Sequence, residues 1–481
     1  MNKLLTVLLL TAFPVLLKAD VYEFFAGGDF NSRSEYGSGN NAFGYGGGVV
    51  FNWDQQGGFM RFALKDGASA GLAFARMQNT AKEFNGLTFT VKVKLRGSGR
   101  VGFSFTDKRS EQIVTLTPGW KIHTFTLNSE PDTRMFMYIR YSKGTRFDMD
   151  DLSVSVANNG IRIYPPLGAL VVKANSTVPE QTFRTMPNDL IGKFTRFDFE
   201  TGKKVVTPAE SSGGEVTFPA FTAGASGCTR IIFSTASEGA VRDVIVASDR
   251  EADALENAAS GVKLKGKSLR ILYLGDSLTD YDRGHNHASI TAGMLDKFNP
   301  GAISMRNVAV GGDEVRRIDA RLSDSNVYYG CRYHALWEEK YDVIFVACGQ
   351  NDTVTFKESN FSKPSIPISE VESRMRSIVN KIRKKSNARI VLVSGVSTPV
   401  SNNPSYHFGV PSLVEAYNAV IRKVASELDT EYLDLYTPLK ALPEAEKLQL
   451  FRNDRVHLSP RGHLFVATEY LKFLARGKDC D

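Results

Sequence analysis

The chain has two kinds of hydrophobic pattern, and the first gives way to the second near residue 267. Before that point, short runs such as LTFTVKVKL, KIHTFTL and MFMYIRY alternate apolar and polar residues between Gly, Asn, Asp and Pro turns. Such alternation is typical of β-strands with one buried face. After that point, continuous apolar runs alternate with helical segments, which is typical of parallel strands covered by helices.

The second pattern predicts a three-layer α/β/α domain with a parallel, flavodoxin-like sheet over residues 261–477. Strands are expected near residues 269–274, 303–310, 342–348, 389–395 and 431–435. One helix is expected over residues 370–385, where a single stripe holds Val371, Met375, Ile378, Val379 and Ile382. Ligands of such sheets bind beyond the carboxyl ends of the strands.

The first half of the chain is predicted to be all β. Residues 20–156 fit a sandwich of jelly-roll type, and residues 157–260 a small β-rich spacer domain. The Gly-Ser stretch 211–214 is a hairpin signal, and the run 249–266 is predicted as a short helix or linker. Several domains are expected from 481 residues, because single cores stop growing at roughly 250–300.

The N-terminus predicts export. Residues 1–19 combine a basic start at Lys3 with a short apolar run, which indicates a secretory signal cleaved near Ala19; an uncleaved anchor is the alternative. No other segment is apolar enough to span a membrane. Cleavage removes two lysines and lowers the net charge from +7 to +5. No Arg- and aromatic-rich patch indicates nucleic acid binding.

Cysteine usage is sparse, with Cys228, Cys331, Cys348 and Cys480 far apart. Four cysteines allow three full pairings, among which the sequence does not choose. Cys348 ends an apolar strand and is expected to be a buried thiol. No Cys or His spacing resembles a metal site, so no metal or cofactor is expected. The oligomeric state is left open.

Candidate chemistry follows the ends of the apolar runs. RILYLGDSLTD predicts a strand and a tight turn that displays Ser277, and later runs end at Gly311-Gly312 and at Gly349-Gln350-Asn351-Asp352. Near the C-terminus, Asp454 precedes His457 by three residues. A serine attacks near neutral pH when a histidine, oriented by a carboxylate, takes its proton.

Together these blocks, in this order, resemble the GDSL or SGNH hydrolase family, over roughly residues 265–477. The resemblance implies a triad of Ser277, Asp454 and His457. It also implies oxyanion donors at the backbone N–H groups of Ser277 and Gly312, with Gly311 as the alternative register, and at the side-chain amide of Asn351. The residues expected to shape the motif turns are Gly275, Asp276, Gly349 and Asp352.

Three more histidines lie near these blocks. His463 is expected to be structural, at the start of the last helix. His285 and His287 follow the candidate nucleophile in a loop and are expected either to line the substrate pocket or to face solvent.

The first region loosely resembles jelly-roll carbohydrate-binding modules, through its Gly-rich opening, Pro118-Gly119-Trp120 and the closing run 147–152. Aromatic side chains would stack on sugar rings or else fill the sandwich core; the candidates are Trp53, Trp120, Tyr138 and Tyr141. Asp150 and Asp151 are expected at the solvated end of a strand, with a calcium-binding edge as the alternative.

The expected function is an exported, extracellular or periplasmic, serine esterase that removes acyl groups, acetyl first, from an acylated polysaccharide or oligosaccharide. The alternative enzymes are a lipase, a lysophospholipase or a thioesterase, although no membrane-seeking helix lies near the motifs. A glycan-binding protein with an inactive hydrolase domain is the non-enzymatic alternative. The glycan, the acyl group and the choice between hydrolysis and acyl transfer are left open.

Overall fold

The computed structural model describes residues 43–476 with gaps at 46–48, 55, 77–87, 106–110, 129–135, 157–160, 236–237, 323–326, 329–330, 333–335, 338 and 403. The predicted signal at residues 1–19 and Cys480 lie outside the described residues. Among the described residues, no helix combines the length and apolar character needed to cross a membrane.

The first region consists of antiparallel strands in two sheets. Its strands are β1 (Phe43–Tyr45), β2 (Val49–Asp54), β3 (Phe59–Leu64), β4 (Ala70–Arg76), β5 (Thr88–Ser98), β6 (Arg100–Ser104), β7 (Gln112–Thr115), β8 (Lys121–Asn128), β9 (Phe136–Ser142) and β10 (Arg146–Val156). The sheet orders are β1-β4-β9-β6-β7 and β2-β3-β10-β5-β8. Phe62 and Val91 from one sheet share a buried core with Phe103 and Ile139 from the other. The arrangement agrees with the all-β prediction.

The middle region is also β-rich. Its strands are β11 (Arg162–Tyr164), β12 (Leu170–Lys173), β13 (Thr177–Val178), β14 (Gln181–Met186), β15 (Ile191–Asp198), β16 (Lys204–Glu210), β17 (Glu215–Phe218), β18 (Phe221–Thr222), β19 (Cys228–Ser234) and β20 (Gly239–Ala247). At the predicted hairpin, Ser212 and Glu215 exchange two backbone hydrogen bonds, at 2.9 and 3.3 Å, around Gly213-Gly214. The longer strands on either side do not pair with each other, since β16 pairs with β15 and β17 with β14. The tight turn is present but carries the chain from one sheet to another.

The C-terminal region alternates strands and helices. Its elements are α1 (Asp249–Ser260), β21 (Leu269–Gly275), α2 (Ser277–Asp280), α3 (His287–Phe298), β22 (Ile303–Asn307), α4 (Val315–Arg321), β23 (Val327–Tyr328), β24 (Cys331–Arg332), β25 (Val343–Ala347), β26 (Thr355–Phe356), α5 (Ile368–Arg383), β27 (Arg389–Val393), β28 (Ser401–Asn402), β29 (Tyr406–Phe408), α6 (Pro411–Glu427), β30 (Glu431–Leu433), α7 (Tyr436–Lys440), α8 (Glu444–Gln449) and α9 (Pro460–Arg476). The main sheet has the order β22-β21-β25-β27-β30, with every neighbouring pair parallel. This is the flavodoxin-like order, so the predicted parallel α/β domain is confirmed.

Both faces of this sheet are buried. On β25, Val343 and Phe345 join the core that contains α1, α3 and α9, whereas Ile344 and Val346 join the core that contains α4, α5 and α6. The predicted stripe on α5 is confirmed, since all five of its residues are fully buried. The strand pattern therefore arises from the need to fill two cores.

The middle region packs directly on the C-terminal helices instead of standing apart as a spacer. Ala169 and Ile245 share the buried core of α1, α3 and α9. The backbones approach so closely that a Cβ built on Gly293 would lie 2.0 Å from the carbonyl oxygen of Ala169. Helix α1, predicted as a helix or linker, starts with a capping box between Ser248 and Glu251 and lies in this helix layer.

Candidate active site

The candidate nucleophile lies at the carboxyl end of β21, the second strand of the main sheet. The Asp276 carboxylate accepts a hydrogen bond from the Leu278 N–H at 2.9 Å and so caps the short helix α2, which begins with Ser277. At Gly275, a Cβ would lie 2.9 Å from the carbonyl oxygen of Ala347, so a side chain there would collide with the neighbouring strand. These contacts fix the turn that presents Ser277.

Asp454 and His457 form a tight pair in the loop before α9. The Nδ1 atom of His457 lies 2.7 Å from Oδ2 of Asp454, and Oδ1 of Asp454 accepts the N–H groups of Val456 and His457 at 2.9 and 3.0 Å. With Nδ1 donating its proton to Asp454, Nε2 is left as a base. The carboxylate therefore holds both the loop and the imidazole ring.

Electrostatics keep this pair in the form that a base requires. Burial lowers the pKa of His457 below its usual 6.5, and the hydrogen bond to Asp454 only partly opposes this effect. Burial also acts to raise the pKa of Asp454, but the hydrogen bonds from His457 outweigh it and lower that pKa. Near neutral pH the histidine is uncharged and the aspartate is ionised.

Tyr281 connects the two parts of the site and was not singled out by sequence reasoning. Its N–H donates to the carbonyl of Ser277 at 2.9 Å. Its ring stacks on that of His457, with the centroids 4.1 Å apart and the planes at 27°. The single turn of α2 therefore links the loop of the candidate base His457 to the turn of the candidate nucleophile Ser277. In the sequence, only the position of Tyr281 directly after the serine motif could have indicated this.

The candidate oxyanion donors follow the neighbouring strands. Gly312 has a left-handed backbone, with φ of 81°, in the turn after β22. Asn351 begins a helical turn after β25, and its Nδ2 donates to the carbonyl of Asp313 at 2.8 Å. The N–H of Gly311, the alternative register, already donates to the carboxylate of Asp280 at 2.8 Å. Ser277, Gly312 and Asn351 all lie at the carboxyl edge of the sheet.

Buried carboxylates support these turns from below. Burial raises the pKa of Asp276, Asp313 and Asp352 to about 7. Asp352 accepts the N–H of Val315 at 3.1 Å, and Asp313 pairs with the guanidinium of Arg321. Asp276 and Asp352 thus have the turn-shaping contacts expected of them, and their charge is suppressed near the site.

His285 and His287 are both buried. His285 is buried against the middle region, with Nδ1 2.9 Å from a carboxylate oxygen of Asp243. His287 lies among the rings of Tyr273, Tyr470 and His463 and borders a cavity of about 20 Å³, which has room for about one water molecule. The solvent-facing alternative is therefore wrong for both residues, because the middle region covers His285 and helix α9 covers His287. Their place in a substrate pocket stays a prediction.

His463 is fully buried at the start of α9, where its Nδ1 atom accepts the N–H of His287 at 3.3 Å. This agrees with a structural role.

The aromatic candidates of the first region differ in environment. Tyr141 is only 4% exposed, and its hydroxyl donates to the carbonyl of Ala63 at 3.1 Å, so it is a core residue and not a sugar platform. Trp53 packs against the same core and is half-buried. Trp120 and Tyr138 are half-buried beneath cationic side chains: the guanidinium of Arg96 lies 4.6 Å from the Trp120 ring, and that of Arg140 lies 5.1 Å from the Tyr138 ring.

Asp150 and Asp151 lie inside β10, at a bulge where the pairing with β5 shifts, so their expected position at a strand end is wrong. Nζ of Lys94 lies 3.0 Å from Asp150 and 3.6 Å from Asp151. A cation so close to both carboxylates argues against the calcium-binding alternative.

One group among the described residues has the compactness of a metal site. Ligand atoms of Cys228, Asp243 and His285 lie within 4.8 Å of one another. However, Arg230 pairs with Asp243 at 2.7 Å and, although burial acts to raise the pKa of that carboxyl, holds it at about 2. Burial also raises the pKa of the Cys228 thiol well above its usual value. A buried guanidinium beside a protonated thiol makes this an ion-paired cluster rather than a cation site.

Cys228 and Cys348 are buried free thiols, which confirms the prediction for Cys348. Burial raises the pKa of the Cys348 thiol as well, so it is uncharged.

The comparisons with known proteins concern the C-terminal region. An acetylxylan esterase of Geobacillus stearothermophilus is 22% identical over 223 residues, which cover 43% of this chain and 94% of that protein. A crystal structure of a lipase/acylhydrolase from Enterococcus faecalis is 15% identical, with a TM-score of 0.35, and covers 43% of this chain and 95% of its own. The structure of the acetyl xylan esterase AlAXEase is 20% identical, with a TM-score of 0.33, over 42% of this chain and 98% of its own.

The family comparison matches residues 273–464, which contain every candidate catalytic and oxyanion residue. The part of the chain that carries the site is therefore a domain of the GDSL-like Lipase/Acylhydrolase family, a family of serine ester hydrolases.

Proposed function

We propose that this protein is an exported serine esterase that removes acetyl groups from a polysaccharide or oligosaccharide. The observation that carries the proposal is the short contact between His457 and Asp454, on a loop that Tyr281 joins to the turn of Ser277. This is the arrangement that a serine needs for attack on an ester, in which a base is oriented by a carboxylate.

The first half of the reaction forms an acyl-enzyme. Oγ of Ser277 attacks the ester carbonyl while Nε2 of His457 takes the hydroxyl proton, and Asp454 stabilises the imidazolium that results. The carbonyl oxygen becomes negatively charged. The proposed donors to it are the N–H groups of Ser277 and Gly312 and the Nδ2 group of Asn351, and each such donor is worth ~10²-fold or more in rate.

The second half releases the product. When the tetrahedral intermediate collapses, the sugar oxygen leaves and takes the proton from His457, so the sugar hydroxyl is restored. Water then gives a proton to His457 as its oxygen attacks the acyl-enzyme. When this second intermediate collapses, the bond to Oγ of Ser277 breaks, His457 returns the proton to Oγ, and the acetic acid formed leaves as acetate. The engagement of the Gly311 N–H by Asp280 supports Gly312 as the backbone donor in both halves.

The substrate class is supported from outside the catalytic geometry. A relative with 22% identity acts, by its name, on acetylated xylan. The signal-like residues 1–19 and the separate β-sandwich fit an exported enzyme that meets a polymer. Of the sandwich aromatics, Trp53, Trp120 and Tyr138 remain candidates for sugar contact, since each is half-buried.

The test is acetate release from a panel of acetylated polysaccharides, beside 4-nitrophenyl esters of short and long acyl chains, with Ser277→Ala as the control. Acetate released from a glycan by the parent and not by the Ser277→Ala variant supports the proposal. Preference for long acyl chains would instead support a lipolytic enzyme. Absence of any Ser277-dependent hydrolysis would overturn the esterase function and favour a glycan-binding protein.

A further inference from the structure

We propose that Arg230 and Asp243, in the middle β-rich region, are positioning residues for the candidate base His457 and act through the loop of residues 281–286. This inference rests on the proposed esterase function. It gives the middle region a part in the active site, although no catalytic group comes from it.

The loop holds His457 by its ring and by its backbone. The ring contact is the stack with Tyr281. The backbone contact runs through Asp282, whose carboxylate pairs with the guanidinium of Arg452. The N–H of Arg452 in turn donates to the carbonyl of His457 at 2.8 Å. A shift of the loop would therefore displace both the imidazole and the chain that carries it.

The loop has a backbone that needs outside support. Asp282 has φ of 59° and Gly284 has φ of 98°. A left-handed conformation at a residue other than glycine is strained and persists only where surrounding contacts impose it. The contacts of the loop with its neighbours therefore decide its shape.

Arg230 and Asp243 supply these contacts from strands β19 and β20. They form a bidentate pair at 2.8 and 2.7 Å, and their side chains are 3% and 0% exposed. Nη2 of Arg230 also donates to the carbonyl of Arg283 at 2.9 Å, and Oδ2 of Asp243 contacts Nδ1 of His285 at 2.9 Å. The pair thus binds the loop through one backbone and one side-chain group.

The fit between the pair and the loop leaves no space. A Cβ built on Gly284 would lie 2.4 Å from Oδ2 of Asp243 and 3.0 Å from Nη2 of Arg230. The loop backbone is therefore pressed directly against the ion pair. Interfaces this close transmit small displacements, because packed side chains cannot absorb them.

The same loop also contacts the oxyanion side of the site. Arg283 pairs with Asp280 at 2.8 Å and donates to the carbonyl of Ala309 at 2.6 Å. Asp280 accepts the N–H of Gly311, next to the proposed donor Gly312. Loss of the Arg230–Asp243 support is thus expected to lower turnover more than substrate binding.

The main test is the double variant Arg230→Met/Asp243→Leu, which replaces the buried pair by apolar side chains of similar size and leaves no unpaired charge. On 4-nitrophenyl acetate, kcat should fall about tenfold while KM stays within about twofold, because misplaced catalytic groups raise the barrier and not the binding energy. Assays are run well below the measured Tm of each variant.

The matched control is Arg242→Met. Arg242 is a buried arginine of the same region, but its guanidinium donates to the carbonyls of Leu167 and Gly168, at 2.5 and 2.7 Å, and to Gln181. The Arg242→Met variant should have a lower Tm than the parent and the same kcat. An equal fall in kcat in both variants at an equal loss of Tm would overturn the proposal, since the effect would then be general destabilisation.

A milder pair of variants covers the case in which the double variant does not fold. His285→Gln retains a donor for Asp243, whereas His285→Leu removes it. The Leu variant should lose kcat several-fold and the Gln variant should recover most of it. Parent-like kcat in His285→Leu, or in a folded double variant, would refute the positioning role.

A readout without substrate separates this inference from the esterase proposal. The readout is the NMR chemical shift of the Nδ1 proton of His457, measured at fixed pH in protein labelled with ¹⁵N-histidine. This signal is assigned by comparison with the His457→Gln variant, and it reports the hydrogen bond between His457 and Asp454. This signal should shift in the double variant or in His285→Leu and stay in place in Arg242→Met. An unmoved signal overturns the inference, whereas a parent without Ser277-dependent hydrolysis overturns the proposed function alone.

Discussion

The ring of Tyr281 stacks on the ring of His457, while the N–H of Tyr281 donates to the carbonyl of Ser277. The candidate nucleophile and the candidate base come from opposite ends of the catalytic domain, and this one residue touches both. Aromatic contact of this kind fixes the plane of the imidazole before any substrate arrives. Such prior orientation is what makes a serine–histidine pair effective.

Replacing Tyr281 by leucine should therefore lower kcat about three- to tenfold, because an aromatic pair is worth ~0.5–1.5 kcal/mol beyond its buried area. Tyr281→Phe keeps the ring and should retain parent activity. Both variants are compared by kcat and KM on 4-nitrophenyl acetate. Equal activity of the Leu and Phe variants would show that the stack does not orient His457.

The pH dependence of the enzyme should reflect the lowered pKa of His457. The base acts only when neutral, and burial lowers its pKa below 6.5. As pH rises, kcat/KM should increase with a midpoint below 6.5 and then reach a plateau through neutral pH. The midpoint should be the same for acetyl and propionyl esters, because kcat/KM reports the free enzyme. A midpoint above 6.5 would contradict the assignment.

Asn351→Ala should lower kcat by ~10²–10³-fold and change KM little, because the amide is asked to act on the transition state. The control is Asn418→Ala. That amide is buried at the sheet, and its oxygen accepts the N–H of Gly395 at 2.8 Å, which is a structural contact. The Asn418→Ala variant should have a lower Tm than the parent and the same kcat. A parallel loss of kcat in both variants would remove Asn351 from the oxyanion site.

Much of the catalytic domain could be predicted from the sequence because its signals are local. An apolar strand that stops at Gly275 or Gly349 requires a turn, and the next residues are then displayed at the sheet edge, as for Ser277 and Asn351. The stripe on α5 is likewise a local period. Each of these features depends on neighbours within a few positions of the chain.

What could not be predicted depends on contacts between distant segments. The burial of His285 follows from its contact with Asp243 in another region of the chain, and the role of Tyr281 follows from its stack on His457. Tyr141 shows a related ambiguity, since alternation along a strand identifies two faces but not which one is buried. Patterns along the sequence do not show which of these distant residues contact each other.

Asp276 should make stability fall as pH rises. Its pKa is about 7 in the folded protein, because of burial, against an ordinary value of 3.8. Between these two values the unfolded chain loses its proton first, so the free energy of unfolding decreases as pH increases. Asp276→Asn keeps the cap on the Leu278 N–H without titrating. The Tm of the variant relative to the parent should therefore rise from pH 5 to pH 8.

Asp319→Asn is the control for that titration. Burial acts to raise the pKa of Asp319, but hydrogen bonds from Lys381, Ser377 and Arg374 outweigh it and lower the pKa below 3.8. The stability that this carboxylate contributes is present above 3.8 and lost only at lower pH. Its variant should be less stable at both pH 5 and pH 8 by a similar amount. A rise in relative Tm for Asp319→Asn equal to that for Asp276→Asn would refute the account.

Gly293→Ala should destabilise the protein even though the residue lies inside helix α3, where Ala is normally favoured over Gly by roughly 0.5–1 kcal/mol. The new methyl group would lie 2.0 Å from the carbonyl oxygen of Ala169, so the middle region and the helix would have to separate. Overpacking of this kind costs about 1–3 kcal/mol. Gly224→Ala is the control, since a Cβ there meets only the Ser226 carbonyl oxygen at 3.6 Å. Thermal unfolding of both variants decides the matter: a Gly293→Ala protein as stable as Gly224→Ala would mean that the two regions are not in fixed contact, and the support of the 281–286 loop by Arg230 and Asp243 would lose its basis.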